Sequence, residues 1–265
     1  MMDLQLRGKR ALVTGSTAGI GFATIMRLAA EGAAVVINGR TQSRVDEAIS
    51  RVQRESPGAK VSGVAADLSS AAGVETLTTQ VSDIDILVNN VGIFEPKAFE
   101  QITDSDWLHF FESNVMSGVR LTRHYLPEMR GRNWGRVLFI SSESALNIPA
   151  EMIHYGMTKT AQLAIARGIA ETTVGTGVTV NSILPGPTKS EGVETFVAQL
   201  AAERKVTEEE MEQEFFQTAR PSSLLQRFIT PEEVANLIVF ICSPLSSATN
   251  GAALRVEGGV VRSIV

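Results

Sequence analysis

Tyr155 and Lys159 stand four apart in IHYGMTKTAQ (153–162), in a chain that has only two tyrosines. On a helix such positions share a face, so the phenol and the ammonium lean toward one point. A lysine cation beside a tyrosine favours the phenolate and lowers its pKa from about 10. A tyrosine brought toward neutral pH can act as a general acid or base. Spacing alone leaves open a helix surface that holds both by accident.

TGSTAGIG (14–21) offers a second chemistry. Its glycines permit a tight turn and let the backbone approach a pyrophosphate, which then sits on the N-terminus of the following helix. The spacing is G-x-x-x-G-x-G, not the G-x-G-x-x-G of the standard dinucleotide fingerprint. No Lys-Ser/Thr follows the last glycine, so it is not a P-loop.

These groups need a scaffold, and the hydrophobic pattern supplies one. Short apolar runs at 11–15, 34–39, 60–67, 85–90, 136–142, 178–186 and 253–259 predict strands. Helical patterns fill 22–32, 41–55, 104–130 and 152–174, while the stretch between 68 and 83 is short and decides little. TPEE (230–233) is a capping box with Pro231 at the first helical position, opening a helix to about 242. Strands alternating with helices predict an α/β fold: a Rossmann-type, doubly wound parallel sheet of about seven strands. Ligands bind such sheets beyond the carboxyl ends of the strands. Those ends carry Gly15, Asp67, Asn89, Asn90, Ser141, Ser142, Pro185 and Gly186, small or hydrogen-bonding residues suited to a nucleotide.

Composition narrows the class. With 265 residues, 44% hydrophobic and 20% charged, the chain can bury a large core. No repeat or linker-like tract divides it, so residues 1–265 are expected to form one domain. A net charge of −5 disfavours nucleic acid and anionic membranes. Cys242, the lone cysteine, lies in the apolar run LIVFIC and is expected to be a buried thiol. His109, His124 and His154 lack ligand-like spacing, so no metal site is expected. The start MMDLQLRGKRALVTG has no secretory apolar region, which makes the cytoplasm the expected location.

Taken in order, TGSTAGIG, NNVG (89–92) and a serine thirteen residues before Y-x-x-x-K resemble the short-chain dehydrogenase/reductase family over essentially the whole chain. The resemblance implies a catalytic tetrad of Asn114, Ser142, Tyr155 and Lys159. Tyr155 would exchange the proton, Lys159 would lower its pKa and hold the nicotinamide ribose, Ser142 would hold the substrate oxygen, and Asn114 would position a relay water. It also implies cofactor contacts from Gly15, Ser16, Thr17, Gly19, Ile20, Gly21, Asp67, Leu68, Asn89, Gly92, Pro185, Gly186 and Thr188. Val91 replaces the usual alanine of NNAG, and Thr188 follows Gly186 by two residues where the family's P-G-x-x-T pattern has three.

An acid at the end of the second strand marks NAD binding. INGRTQSR (37–44) has none there and offers Arg40, with Asn38, Thr41 and Arg44 nearby. A guanidinium fork suits a 2′-phosphate, which points to NADP. Ala18 stands where many NADP-preferring relatives carry a second basic residue, so NAD is left open. Residues 187–229 break the strand–helix alternation and are expected to form a helical insertion over the substrate, its second helix opened by a Thr207–Glu210 capping box. Glu143, Ser144, Ile148, Met152 and His154 flank the serine and tyrosine and are expected to shape the pocket. The family also implies a homotetramer built through helices 104–130 and 152–174.

The expected activity is hydride transfer between NADP(H) and a carbonyl or secondary alcohol. A 3-oxoacyl-thioester reductase and a sugar or polyol dehydrogenase are alternatives within it. A regulatory or scaffold protein that binds NADP(H) without turnover is the alternative outside it. That reading expects a broken Ser/Tyr/Lys set, and all three residues are present.

Overall fold

Runs such as ILVN and GRVLFI carry apolar residues on both faces of a strand, so each must be covered on both sides. The computed structural model describes residues 3–204 and 206–264, with backbone alone for 194–196, 199, 200 and 203. Its strands are β1 (Arg10–Val13), β2 (Ala34–Gly39), β3 (Val61–Ala65), β4 (Ile86–Asn89), β5 (Gly135–Ile140), β6 (Val178–Pro185) and β7 (Ala253–Val256). They form one parallel sheet in the order β3-β2-β1-β4-β5-β6-β7. The helices are α1 (Gly19–Ala30), α2 (Gln42–Glu55), α3 (Ala71–Gln80), α4 (Asp104–Phe111), α5 (Ser117–Gly131), α6 (Ile153–Glu171), α7 (Glu191–Arg204), α8 (Glu208–Thr218) and α9 (Pro231–Cys242).

The two-residue period of each strand sorts its side chains between two cores. Ala11 and Val13 pack with Ile25 and Leu28 of α1 and with Val234 and Ile238 of α9. Leu12, between them, joins Leu121 and Tyr125 of α5 and Ala166 of α6 on the other face. Its register sets Leu12 against Val36 on one side and Leu87 on the other. The chain winds outward from β1 in one direction to β3 and in the other from β4 to β7. The crevice where the order reverses lies at the carboxyl ends of β1 and β4. Cys242 is fully buried at the end of α9.

Local signals explain several helix starts. The capping boxes at Thr207 and Thr230 both form, each hydroxyl accepting from the amide three residues on. Two elements differ from expectation. Residues 71–80 are helical, started by Ser70 accepting from the Gly73 amide, although only Val74 and Leu77 are buried. Residues 104–130 are not one helix: a π-helical turn at Glu112–Met116 separates α4 from α5. Such turns are local insertions that recur at functional sites.

Gly168 lies exposed on α6, with open space where a side chain would go. Alanine there should stabilise the helix by up to about 1 kcal/mol. The expected rise in melting temperature is about 2–4 °C, read by thermal denaturation.

Candidate active site

The glycine loop joins β1 to α1 and is fastened from both neighbouring strands. Gly15 and Gly19 take φ of +58° and +54°, a region that only glycine enters cheaply. Ser16 donates its amide to the Asn38 carbonyl (2.8 Å) and its hydroxyl to the Val13 carbonyl (2.6 Å). Asn38 accepts from the Gly15 amide (3.2 Å) and donates to the Val64 and Ala66 carbonyls. From the other side, the Asn90 amide group donates to the carbonyls of Thr14 and Gly15, both at 3.0 Å. Thr17 lies against Gly39, where a side chain on the glycine would meet its methyl at 2.5 Å.

The loop fits a pyrophosphate. Ala18 supplies no side-chain cap and the first turn of α1 holds no acid. The amides of Gly19, Ile20 and Gly21 are therefore left for a ligand at the positive end of the helix dipole. Arg40 follows Gly39 at the end of β2 and is exposed. Arg44 is engaged elsewhere, in a surface ion pair with Glu191 at 2.9 Å. The Asp67 carboxylate accepts from the amide and hydroxyl of Ser69, which hold its pKa below the ordinary value. Leu68 faces the core. Asn89 is buried and donates to the Thr122 hydroxyl at 3.2 Å. Gly186 donates its amide to the Val256 carbonyl, next to Pro185 at the end of β6. The Thr188 hydroxyl turns back to the Gly186 carbonyl at 2.8 Å. The short spacing of that threonine is thus closed by a local turn.

Four elements converge on the tetrad positions. Ser142 lies two residues beyond β5, its hydroxyl accepting from the Ser144 amide at 3.1 Å and lying against the Tyr155 phenol. Tyr155 and Lys159 sit one turn apart on α6. The π-helical turn aims Asn114 at the strand β4 side, where its carboxamide accepts from the Ile93 amide (2.7 Å) and donates to the Ile93 carbonyl (3.0 Å). It also donates to the Thr158 hydroxyl at 2.9 Å, which donates in turn to the Tyr155 carbonyl at 2.7 Å. Gly92 faces both: a β-carbon there would stand 3.3 Å from Lys159 Nζ and 3.5 Å from Asn114 Oδ1.

Burial dominates the electrostatics. It pushes the Tyr155 phenol up to about 12, against the lowering effect of the Ser142 hydroxyl. It pulls the Lys159 ammonium down to about 8. Lys159 Nζ donates to the Ile140 carbonyl at 2.9 Å and stands 5.5 Å from the centre of the Tyr155 ring. In this arrangement the lysine does not lower the tyrosine pKa.

Some side chains near the site behave differently from expectation. His154 is fully buried and packs against Phe110 with the rings tilted at 55° and their centres 4.0 Å apart, so it joins α6 to α4 and does not shape a pocket. Glu143 is also buried, and its Oε1 accepts from Arg220 Nε at 2.8 Å. Arg220 went unnoticed in the sequence because its partner is 77 residues away. Gln162 was missed too; it donates to the Asn114 carbonyl at 2.6 Å and braces the π-helical turn. Only its place three residues after Lys159, on the helix face turned inward, hinted at it. A cleft of about 620 Å³ runs beside these groups, lined by Leu146, Asn147, Ala219, Pro221 and the segment from Val260 to Ser263. Ser142 and Tyr155 do not line it, so it is not the reacting centre.

The family model described as short chain dehydrogenase matches residues 9–201. The chain belongs to the short-chain dehydrogenase family. This dehydrogenase is an oxidoreductase whose relatives match it end to end. It is 50% identical over 263 residues to an uncharacterised oxidoreductase, YvaG, of Bacillus subtilis, covering 99% of this chain and all of the other. It is 33% identical over 263 residues to the 3-oxoacyl-[acyl-carrier-protein] reductase FabG of Aquifex aeolicus, covering 98% and 100%. Among solved structures, L-sorbose reductase from Gluconobacter frateurii, complexed with NADPH and L-sorbose, superposes with a TM-score of 0.94 at 30% identity. That match covers 99% of the dehydrogenase and 100% of the reductase. Among the described residues of the dehydrogenase, no helix is long and apolar enough to cross a membrane.

Proposed function

We propose that the chain interconverts a carbonyl and a secondary alcohol with NADP(H), and that Tyr155 moves the proton. The observation that carries this reading is the half-buried Tyr155 side chain with the Ser142 hydroxyl against its phenol and Lys159 one turn away beside Gly92. The cofactor, when bound, supplies or takes the hydride. Ser142 donates to the carbonyl oxygen and holds it at the phenol. Tyr155 gives that oxygen a proton on reduction and takes one from the alcohol on oxidation. Lys159 fixes the ribose, its ammonium being held one turn from Tyr155 by the Ile140 carbonyl. Asn114 holds the segment at Ile93 and keeps Thr158 bonded under the tyrosine. Helices α7 and α8 cover the substrate.

Support for NADP over NAD comes from Arg40, exposed at the end of β2 where an acid would serve NAD, and from the NADPH in the L-sorbose reductase complex. Titration with NADPH and NADH, followed by nicotinamide fluorescence, tests the reading without a substrate. Tight NADPH and weak NADH are expected; binding of neither overturns it. Replacing Arg40 with serine removes a charged hydrogen bond worth about 1.5–3 kcal/mol. NADPH should then bind at least about tenfold more weakly, with NADH unaffected.

A further inference from the structure

The insertion meets the catalytic segments at one point. Arg220, just after α8, donates Nε to Glu143 Oε1 at 2.8 Å, and Glu143 is the residue after Ser142. Its Nη1 donates to its neighbour Ala219's carbonyl at 2.8 Å and reaches Glu151, ahead of α6, at 3.5 Å. Arginine and Glu143 are both buried, at 6% and 3% exposure, whereas the Glu151 side chain is half exposed. The second oxygen of Glu143, Oε2, is buried with no hydrogen-bond partner. The Ser144 hydroxyl is near enough to favour its charge but makes no bond to it. Glu257 also faces this carboxyl, and Arg255 stands 3.8 Å from Glu257.

These groups bias the substrate class in three ways. The Arg220 guanidinium is already held by two carboxylates and a carbonyl, so it is not free to clamp a substrate carboxylate or phosphate. The surplus of acids repels any anion brought close to Ser142. Glu143 Oε2 and the exposed Glu151 carboxylate both need hydrogen-bond donors, and a buried unmade bond costs about 1–3 kcal/mol. An ammonium would donate, but at Glu143 it would have to sit beside the Arg220 guanidinium. A hydroxyl donates without charge.

We infer that the Glu143–Arg220–Glu151 group is the specificity determinant of this site and selects neutral substrates with hydroxyls beside the reacting carbonyl, that is, polyhydroxylated ketones or their alcohols. The inference rests on the carbonyl–alcohol reading above and names its substrate class. Glu151 meets a hydroxyl at the mouth of the site. Glu143 Oε2 is sealed in this structure, so Glu143 and Arg220 act through their charges while Glu151 offers the open acceptor.

The test is NADPH oxidation by the purified protein with D-fructose, L-sorbose, cyclohexanone and acetoacetate as probes. At least one of the two ketoses should be reduced with kcat/KM at least about tenfold above cyclohexanone and acetoacetate, because a site built to bond hydroxyls rejects analogues that lack them. Glu151→Gln, at a half-exposed position, should raise the ketose KM by about fivefold or more, with kcat and the cyclohexanone reaction nearly unchanged. Preference for cyclohexanone or acetoacetate would overturn the inference while leaving the reductase reading standing. Equal effects of Glu151→Gln on both ketones would overturn it too, since they would mark a merely structural residue. Reduction of none of the four by protein that binds NADPH would overturn the inference. Failure to bind NADPH at all would overturn the underlying reading.

Discussion

Tyr155→Phe is expected to leave a folded protein that binds NADPH as the parent does and turns over about a thousandfold more slowly. General acid–base catalysis supplies about 10²- to 10⁴-fold, and the phenylalanine ring has no proton to give. The corresponding loss of transition-state stabilisation is about 4 kcal/mol. The ring keeps its packing, so melting temperature should change little. Turnover within a few-fold of the parent, measured with any reduced carbonyl, would remove Tyr155 from the mechanism.

The same residue can be watched directly, because the chain has only two tyrosines. Tyr125 donates to the Val81 carbonyl at 2.6 Å, and burial holds its pKa well above the ordinary value. Tyr155 stands at about 12 in this structure. Phenolate absorbance at 295 nm should therefore show no step below about pH 11 in the protein alone. With NADP⁺ bound, a step of one tyrosine should move down. The sign for the reaction follows: reduction needs the protonated phenol and slows as pH rises through that step, whereas alcohol oxidation needs phenolate and quickens. A spectrum unchanged by NADP⁺ would count against Tyr155 as the titrating group.

Gly21→Ala is the second large effect expected. The added carbon would stand 2.6 Å from the Gly15 carbonyl oxygen, 2.8 Å from the Ser16 α-carbon and 2.7 Å from the Asn90 amide nitrogen. Two of these are backbone and the third is tied to Thr14 and Gly15, so none can step aside alone. Overpacking of this kind costs about 1–3 kcal/mol. The melting temperature should fall by roughly 2–10 °C. Displacement of the loop should also weaken NADPH binding by at least about tenfold, since a site must hold its geometry closely to bind. Unchanged NADPH affinity would mean that the loop is not where the cofactor's phosphates lie.

The parts of this protein legible from sequence are those built from short-range spacing. Tyr155 and Lys159 share a helix face because they are four apart, and TGSTAGIG announces its turn within eight residues. The sheet was legible because its central strands, such as β4 and β5, are apolar on both faces. Helix α3 was not, since it buries only Val74 and Leu77 and its remaining residues are small or polar. The break between α4 and α5 was hidden as well. It depends on Asn114 finding Ile93 and Thr158, and Gln162 finding the Asn114 carbonyl, all of them tertiary contacts. The lysine's effect on the tyrosine was inferred from proximity, but the ammonium turns to the Ile140 carbonyl and burial prevails. Glu143 was legible as a pocket residue beside Ser142; that Arg220 would pair with it could not be read from a pattern, because the two are 77 residues apart.

The pairing of β6 with β7 has a consequence for how this chain can change. Ser182 pairs with Ala253, so the last strand adds to the sheet only after a loop of about seventy residues closes, and the α7–α8 segment lies inside that loop. Closure entropy grows only with the logarithm of loop length, so even doubling the loop would cost about 0.6 kcal/mol. The fold is nearly indifferent to the size of the segment that would choose the substrate. Insertions, deletions and wholesale exchange of α7 and α8 between relatives should be tolerated, provided that β7 keeps its register and the chain still returns to Thr230. Evolvability of substrate choice is in that sense a property of the sheet's connectivity.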